Sequence, residues 1–126
     1  MTMSKENIDK GVAIMKKMMG EEHVGNLAKG RGRFPEWQEW TQGFLFGQLW
    51  SRPELDLRTR SLCNVAALTA MTKPDQLATH VKGAINNGAK PQEIIEVVMQ
   101  MGFYSGWPNC GIALKVVDRV LTEMGL

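Results

Sequence analysis

Apolar residues recur along this chain at helical spacing, and the punctuation between the apolar stretches is clear. Ser4 can cap a helix reaching about Met19, with Ile8, Val12, Met15 and Met19 on one face and Gly20 as the stop. Residues 21–34 are polar and glycine-rich, which predicts a loop or a short irregular helix. Pro35 suits the first turn of a second helix carrying Trp37, Trp40, Phe44 and Leu45 to about Trp50, where Ser51-Arg52-Pro53 breaks it. Asp56 can cap a third helix, Leu57 to Met71, with Leu62, Val65, Ala66 and Leu68 near helical spacing. Pro74 opens a fourth, closed by Asn86-Asn87-Gly88. Pro91 opens a fifth, with Glu93 and Glu96 near its positive end. Residues 102–108 interrupt, and a last helix runs from about Asn109 to Met124. No stretch alternates β-branched and polar residues as a strand does. The expected fold is all-α: a single domain over residues 1–126, built of about six short helices, without repeat or linker.

A chain of 126 residues can bury roughly two-thirds of its unfolded surface, so a real core is within reach. A net charge of +2, with scattered basic residues, gives no electrostatic case for nucleic acid. The short run Lys29-Gly30-Arg31-Gly32-Arg33 reads as a solvated loop. The polar start has no signal core, and no apolar run approaches the ~18 residues of a membrane span. The expectation is a cytoplasmic protein with no membrane partner. Cys63 and Cys110 lie far apart with no CxxC, and read as inert buried thiols. Residues 94–101 are apolar nearly all round, and nine methionines and four tryptophans exceed what one small chain hides, so a homo-oligomer is expected.

Three polar residues sit on otherwise apolar helices, where burial is costly unless the group is paired or used. His80 shares a face with Leu77 and Ala84; it is either a satisfied core group or an acid–base residue titrating near working pH. Glu96 lies among Ile94, Ile95, Val97, Val98 and Met99; if desolvated, it would hold a proton near neutral pH, and otherwise it faces solvent or a lysine. Arg60, with Asn64 one turn on, could clamp a carboxylate through two parallel hydrogen bonds, or be structural. Glu93 reads as helix-start electrostatics, and Arg52 and Arg58 as solvated. Trp50, Tyr104 and Trp107 read as core aromatics, although Tyr104 stands just before a helix break where a cleft can open. There is no zinc-ligand spacing, no phosphate-cradling glycine loop and no GxSxG. An enzyme here would work through positioned acid–base groups, with no cofactor.

At these residues the chain resembles a known family. Trp50-Ser51-Arg52-Pro53, Arg58-Thr59-Arg60-Ser61-Leu62, Gln76-Leu77-Ala78-Thr79-His80, Asn86-Asn87-Gly88, Glu93-Ile94-Ile95-Glu96 and Tyr104-Ser105-Gly106-Trp107-Pro108 are similar to the γ-carboxymuconolactone decarboxylases. These form the small branch of the carboxymuconolactone decarboxylase and alkylhydroperoxidase D superfamily. The likeness covers roughly residues 40–110. It implies a helical fold assembling as trimers or hexamers. It also implies a cofactor-free lyase that takes γ-carboxymuconolactone to β-ketoadipate enol-lactone in aromatic catabolism. The redox branch carries a CxxC where this chain has Lys73 and Gln76, so thiol peroxidase chemistry is not implied. Gln48 stands where the decarboxylases usually carry an acid. On this resemblance Arg60 would hold a substrate carboxylate, and His80 or Tyr104 would hydrogen-bond the developing dienolate oxygen. Glu96 or His80 would deliver the proton, and Gln48, Trp50 and Tyr104 would line the small-molecule carboxylate site. A different cofactor-free cyclase, isomerase or dehydratase on the same scaffold, or a non-catalytic binder, are the competing readings; a thiol redox role for Cys63 or Cys110 is a third.

Overall fold

A computed structural model describes residues 3–29 and 32–126. The described residues form α-helices α1 (Lys5–Met19), α2 (Glu21–Lys29), α3 (Pro35–Trp40), α4 (Leu57–Ala70), α5 (Pro74–Asn86), α6 (Pro91–Ser105) and α7 (Trp107–Glu123), with a π-helical segment Thr41–Leu49 following α3. Among them there is no strand, as the periodicity predicts. No described helix is long and apolar enough to cross a membrane. The chain divides into two compact units, Met1–Leu57 and Arg58–Leu126.

In the first unit, the Ser4 hydroxyl accepts the Asn7 N–H at 3.2 Å and starts α1, and Gly20, at φ 89°, ends it. The buried face holds Gly11, Met15, Met18 and Met19. Residues 21–29 form an α-helix, the second of the two readings, loop or short irregular helix, that the sequence leaves open there. Glu21 and Glu22 at its start and Lys29 at its end suit the helix dipole, and buried Val24 anchors it. Of the basic run, residues 30 and 31 lie outside the described residues; Lys29 and Arg33 are exposed.

The expected continuous α-helix from Pro35 to Trp50 changes character at Thr41. From there the bonding follows the wider π pattern, ending with the Trp50 N–H donated to the Leu45 carbonyl at 2.9 Å. Over nine residues the apolar patterns of the two helix types differ too little to be told apart in a sequence. Glycines let α1 and this segment meet backbone to backbone. A methyl on Gly11 would overlap the Gln42 carbonyl, and one on Gly47 the Asn7 carbonyl. Phe46 and Trp50 stack beneath at 5.3 Å and join the α1 methionines in one apolar cluster.

The second unit is built on Val65, Leu77, Val81, Ile94, Val98 and Val117. The buried face of α4 is Ser61, Val65 and Thr69, four apart. Its end turns through Thr72, which takes φ 55° while the Lys73 N–H reaches back to the Leu68 carbonyl at 3.0 Å. A β-branched residue is strained there, by roughly 1–2 kcal/mol. Thr72→Gly is therefore expected to raise stability by about 1 kcal/mol, read as a higher midpoint in urea; an unchanged or lower midpoint would refute the strain. Helix α6 runs through Ser105, past the expected interruption at 102. Only Gly106, at φ 114°, separates it from α7, which starts at Trp107 rather than Asn109. Gly102 permits this tight corner, since a methyl there would meet the Cys110 side chain at 2.7 Å.

Candidate functional site

Helix α4 brings most of the chemistry to the second unit. Arg60 and Asn64 lie one turn apart on the same stripe, both half-buried. Asn64 reaches α5, where its amide Nδ2 stands 3.4 Å from Nδ1 of His80. Leu77, Val81 and Ala84 are buried beside His80 on α5, so the histidine takes the inward-leaning position that its spacing predicts. Burial lowers its pKa from the ordinary 6.5, so the ring is neutral at neutral pH.

Two further polar links fasten α4. Ser61 is fully buried and accepts a hydrogen bond from the Asn87 amide at 3.0 Å, while the Asn87 carbonyl oxygen is buried with no protein partner. Arg58 forms an ion pair with Glu93. Both side chains of that pair keep over 30% of their surface in solvent, so it contributes at most about 1 kcal/mol. The Glu93 carboxylate also accepts the Lys90 N–H at 2.9 Å, which gives it the helix-start role expected of it. Arg58 is not the simply solvated side chain predicted. The Ser61–Asn87 contact does not follow from the sequence, although the buried i, i+4, i+8 series Ser61–Val65–Thr69 marks Ser61 as inward-facing.

Glu96 is exposed and accepts a hydrogen bond from Gln92 at 3.2 Å, so of its two readings the solvent-facing one holds and the desolvated one does not. The buried stripe of α6 is Ile94, Val98 and Gly102, and two residues beyond Ile94 a helix has turned roughly to its opposite side. Ile95, Val97 and Met99 are only partly buried. Tyr104 and Trp107 are not core aromatics: they are 78% and 57% exposed, and Phe103, 81% exposed, packs on Trp107 at 5.0 Å. Cys63 is exposed and Cys110 buried, both as free thiols.

The first unit holds Gln48 and Trp50. Gln48 is exposed on the π-helical segment, whereas Trp50 is 5% exposed and is a core aromatic. Beside Trp50 the Ser51-Arg52-Pro53 turn shapes a hollow of about 470 Å³, also lined by Asp56. The Ser51 hydroxyl donates to the Gly47 carbonyl at 2.7 Å and holds that turn. Gln48 is not among the lining residues. Among the described residues, no three His, Cys, Asp or Glu side chains gather as metal ligands would.

The second unit thus presents a helical scaffold with a neutral, half-buried histidine held by an amide and an arginine one turn from that amide. Residues 35–119 match the model of the carboxymuconolactone decarboxylase family, and the chain belongs to that family. It is 30% identical over 117 residues to 4-carboxymuconolactone decarboxylase of Acinetobacter baylyi, covering 92% of this chain and 87% of that protein. It is 32% identical, again over 92% of its length, to nitrosuccinic acid decarboxylase of Metarhizium robertsii, of which it covers 82%. An uncharacterised 15.0 kDa protein of Paracoccus denitrificans is 36% identical over 81 residues, 62% of this chain and 60% of that one.

Proposed function

We propose that this chain is a cofactor-free decarboxylase of a small cytoplasmic dicarboxylate, with γ-carboxymuconolactone of the β-ketoadipate pathway as its substrate. The observation that carries this reading is that both relatives named as decarboxylases align over nearly the whole chain. Their substrates share a chemical unit. Carboxymuconolactone is a butenolide whose ring carbon bears a carboxylate and a carboxymethyl arm. Nitrosuccinic acid is succinic acid carrying a nitro group. Each is a succinate with an electron-accepting group on one carbon. When CO2 leaves that carbon, the electron pair flows into the lactone carbonyl or the nitro group, so the substrate supplies its own electron sink, and a proton taken up from water onto carbon completes the reaction.

The protein then has few tasks. Arg60 holds the arm carboxylate. His80, neutral and partly removed from water, donates a hydrogen bond to the oxygen that gains charge. The exposed Phe103, Tyr104 and Trp107 support a homo-oligomer, trimer or hexamer, in which such surface is covered. Identity to the nitrosuccinate enzyme is as high as to the lactone enzyme, and Gln48 lacks the acid usual in the latter. A 2-substituted succinate other than the lactone is therefore the second reading.

The test is CO2 release by the purified protein from freshly prepared γ-carboxymuconolactone and, separately, from nitrosuccinate, with chelator present and no nucleotide. Release from the lactone is the expected result. Release from nitrosuccinate alone selects the second reading, and a folded protein that releases CO2 from neither overturns both.

A further inference from the structure

Among the described residues the buried polar side chains are Ser61, Thr69 and Asn87. The Thr69 hydroxyl donates to the Val65 carbonyl of its own helix at 2.8 Å. Ser61 and Asn87 instead join α4 to the end of α5, with the Asn87 amide 3.0 Å from the Ser61 hydroxyl. An amide has one donor end and one acceptor end. Whichever end faces Ser61, the other lies buried with no protein partner among the described residues.

Leaving one end of a buried amide unpartnered costs as much as a neutral hydrogen bond returns, or more. Apolar side chains of the same shape would hold the two helices at least as firmly, so the pair supplies something other than stability. The buried stripe of α4 is Ser61, Val65 and Thr69, all small and one turn apart. Apolar contact alone distinguishes little between that stripe and the same stripe slid along by a turn. A polar contact distinguishes them sharply, because on this stripe only Ser61 offers its hydroxyl to another helix. Asn87 is itself well held: its N–H donates to the Gly83 carbonyl at 2.9 Å, and Gly88 turns the chain at φ 98°. The other link from the start of α4, Arg58 to Glu93, joins two long, partly exposed side chains and tethers the helix without fixing its register.

We infer that Asn87 is a positioning residue: through Ser61 it fixes the place of α4 along α5, and so sets where Arg60 and Asn64 stand relative to His80.

Asn87 caps the helix that carries His80, whereas Arg60 is the neighbour of Ser61 on α4. Displacing α4 therefore moves Arg60 and leaves His80 on its own helix. The consequence for turnover rests on the decarboxylation reading above; the geometry does not. On that reading Arg60 grips the arm carboxylate before and during CO2 loss alike, so its displacement raises KM and spares kcat.

The test is the double variant Ser61→Ala/Asn87→Leu, whose apolar groups are close in size to those they replace. Its urea midpoint should equal or exceed that of the native protein. Ser61→Ala alone leaves both ends of the amide unpartnered and should lie below both. In crystal structures, α4 of the native protein should hold one place, with Asn64 at His80. In the double variant it should slide along its axis or occupy more than one place. KM for γ-carboxymuconolactone should rise about tenfold, with kcat changed less than about threefold. A pair that served stability alone would do the reverse, lowering kcat through loss of folded protein and leaving KM as it was. A double variant with a midpoint below the native one, or with α4 and Asn64 in their native places, overturns the inference. So does a displaced α4 with an unchanged KM in an active enzyme. If α4 is displaced and the native protein turns over no substrate, the positioning role stands and the decarboxylation reading fails.

Discussion

His80→Ala should lower the turnover of γ-carboxymuconolactone by about 10²–10³-fold, the loss expected on removing one preorganised donor from a developing oxyanion. The fold should survive. The ring is half-buried, and the apolar contacts that hold α5 are made by Leu77, Val81 and Ala84. The cost in stability should stay within about 1 kcal/mol. The measurement is kcat on the variant alongside its helical signal and oligomer size; near-normal rates from an intact protein would remove His80 from the mechanism.

The same substitution has a signature that does not depend on substrate. Burial lowers the folded-state pKa of His80 below its ordinary 6.5. Below that value the unfolded chain takes up a proton that the folded chain does not, so acid favours unfolding. The contribution of neutral His80 is therefore fully present above 6.5 and is lost as pH falls through the lower, folded-state value. Melting temperature should drop more steeply between pH 6.5 and the acid range in the native protein than in His80→Ala. Equal slopes would show that the ring is not desolvated in solution.

Gly11→Ala should destabilise the first unit by about 3 kcal/mol or more, although alanine is by propensity the better helix former by about 1 kcal/mol. The added methyl would overlap the Gln42 carbonyl, with the Gly47 amide nitrogen 2.8 Å away. These are backbone atoms, which cannot rotate aside as a side-chain tip does. Either α1 lifts from the π-helical segment or the segment rewinds, and both disturb the cluster around Met15, Met18, Phe46 and Trp50. Gly25→Ala is the internal control. It lies in α2 with nothing within 4 Å of the added methyl, so only the propensity gain should be felt and stability should rise slightly. Urea unfolding followed by tryptophan fluorescence reads both. The same sign for the two variants would show that α1 and the segment do not meet backbone to backbone.

These expectations draw on different layers of information. The helices from α4 to α7 were legible because Pro74, Pro91 and the Asn86–Gly88 turn mark boundaries chemically, through missing donors and left-handed turns. The first unit was less legible. Helix α2 is short and polar, so its formation depends on packing Val24, which no periodicity announces. Within the candidate site, the inward lean of His80 followed from its spacing to Leu77 and Ala84. The outward direction of Glu96 did not follow from composition, because a stretch apolar on every side does not say which side is covered.

By itself, the order of residues determined that this chain is all-helical, where most helices begin and end, and that it is a family member whose likeness resides in the Trp50–Leu62 and Gln76–His80 segments. Those properties depend on local backbone preferences and on spacing along one chain. Only the tertiary structure decided that Asn64 meets His80, that Ser61 is tied to Asn87, that Arg58 pairs with Glu93, and that Gly11 and Gly47 admit a backbone contact. Each of these joins residues 16 or more positions apart. Such pairs are selected by how helix faces pack against one another, which is a property of the assembled unit and of no single segment.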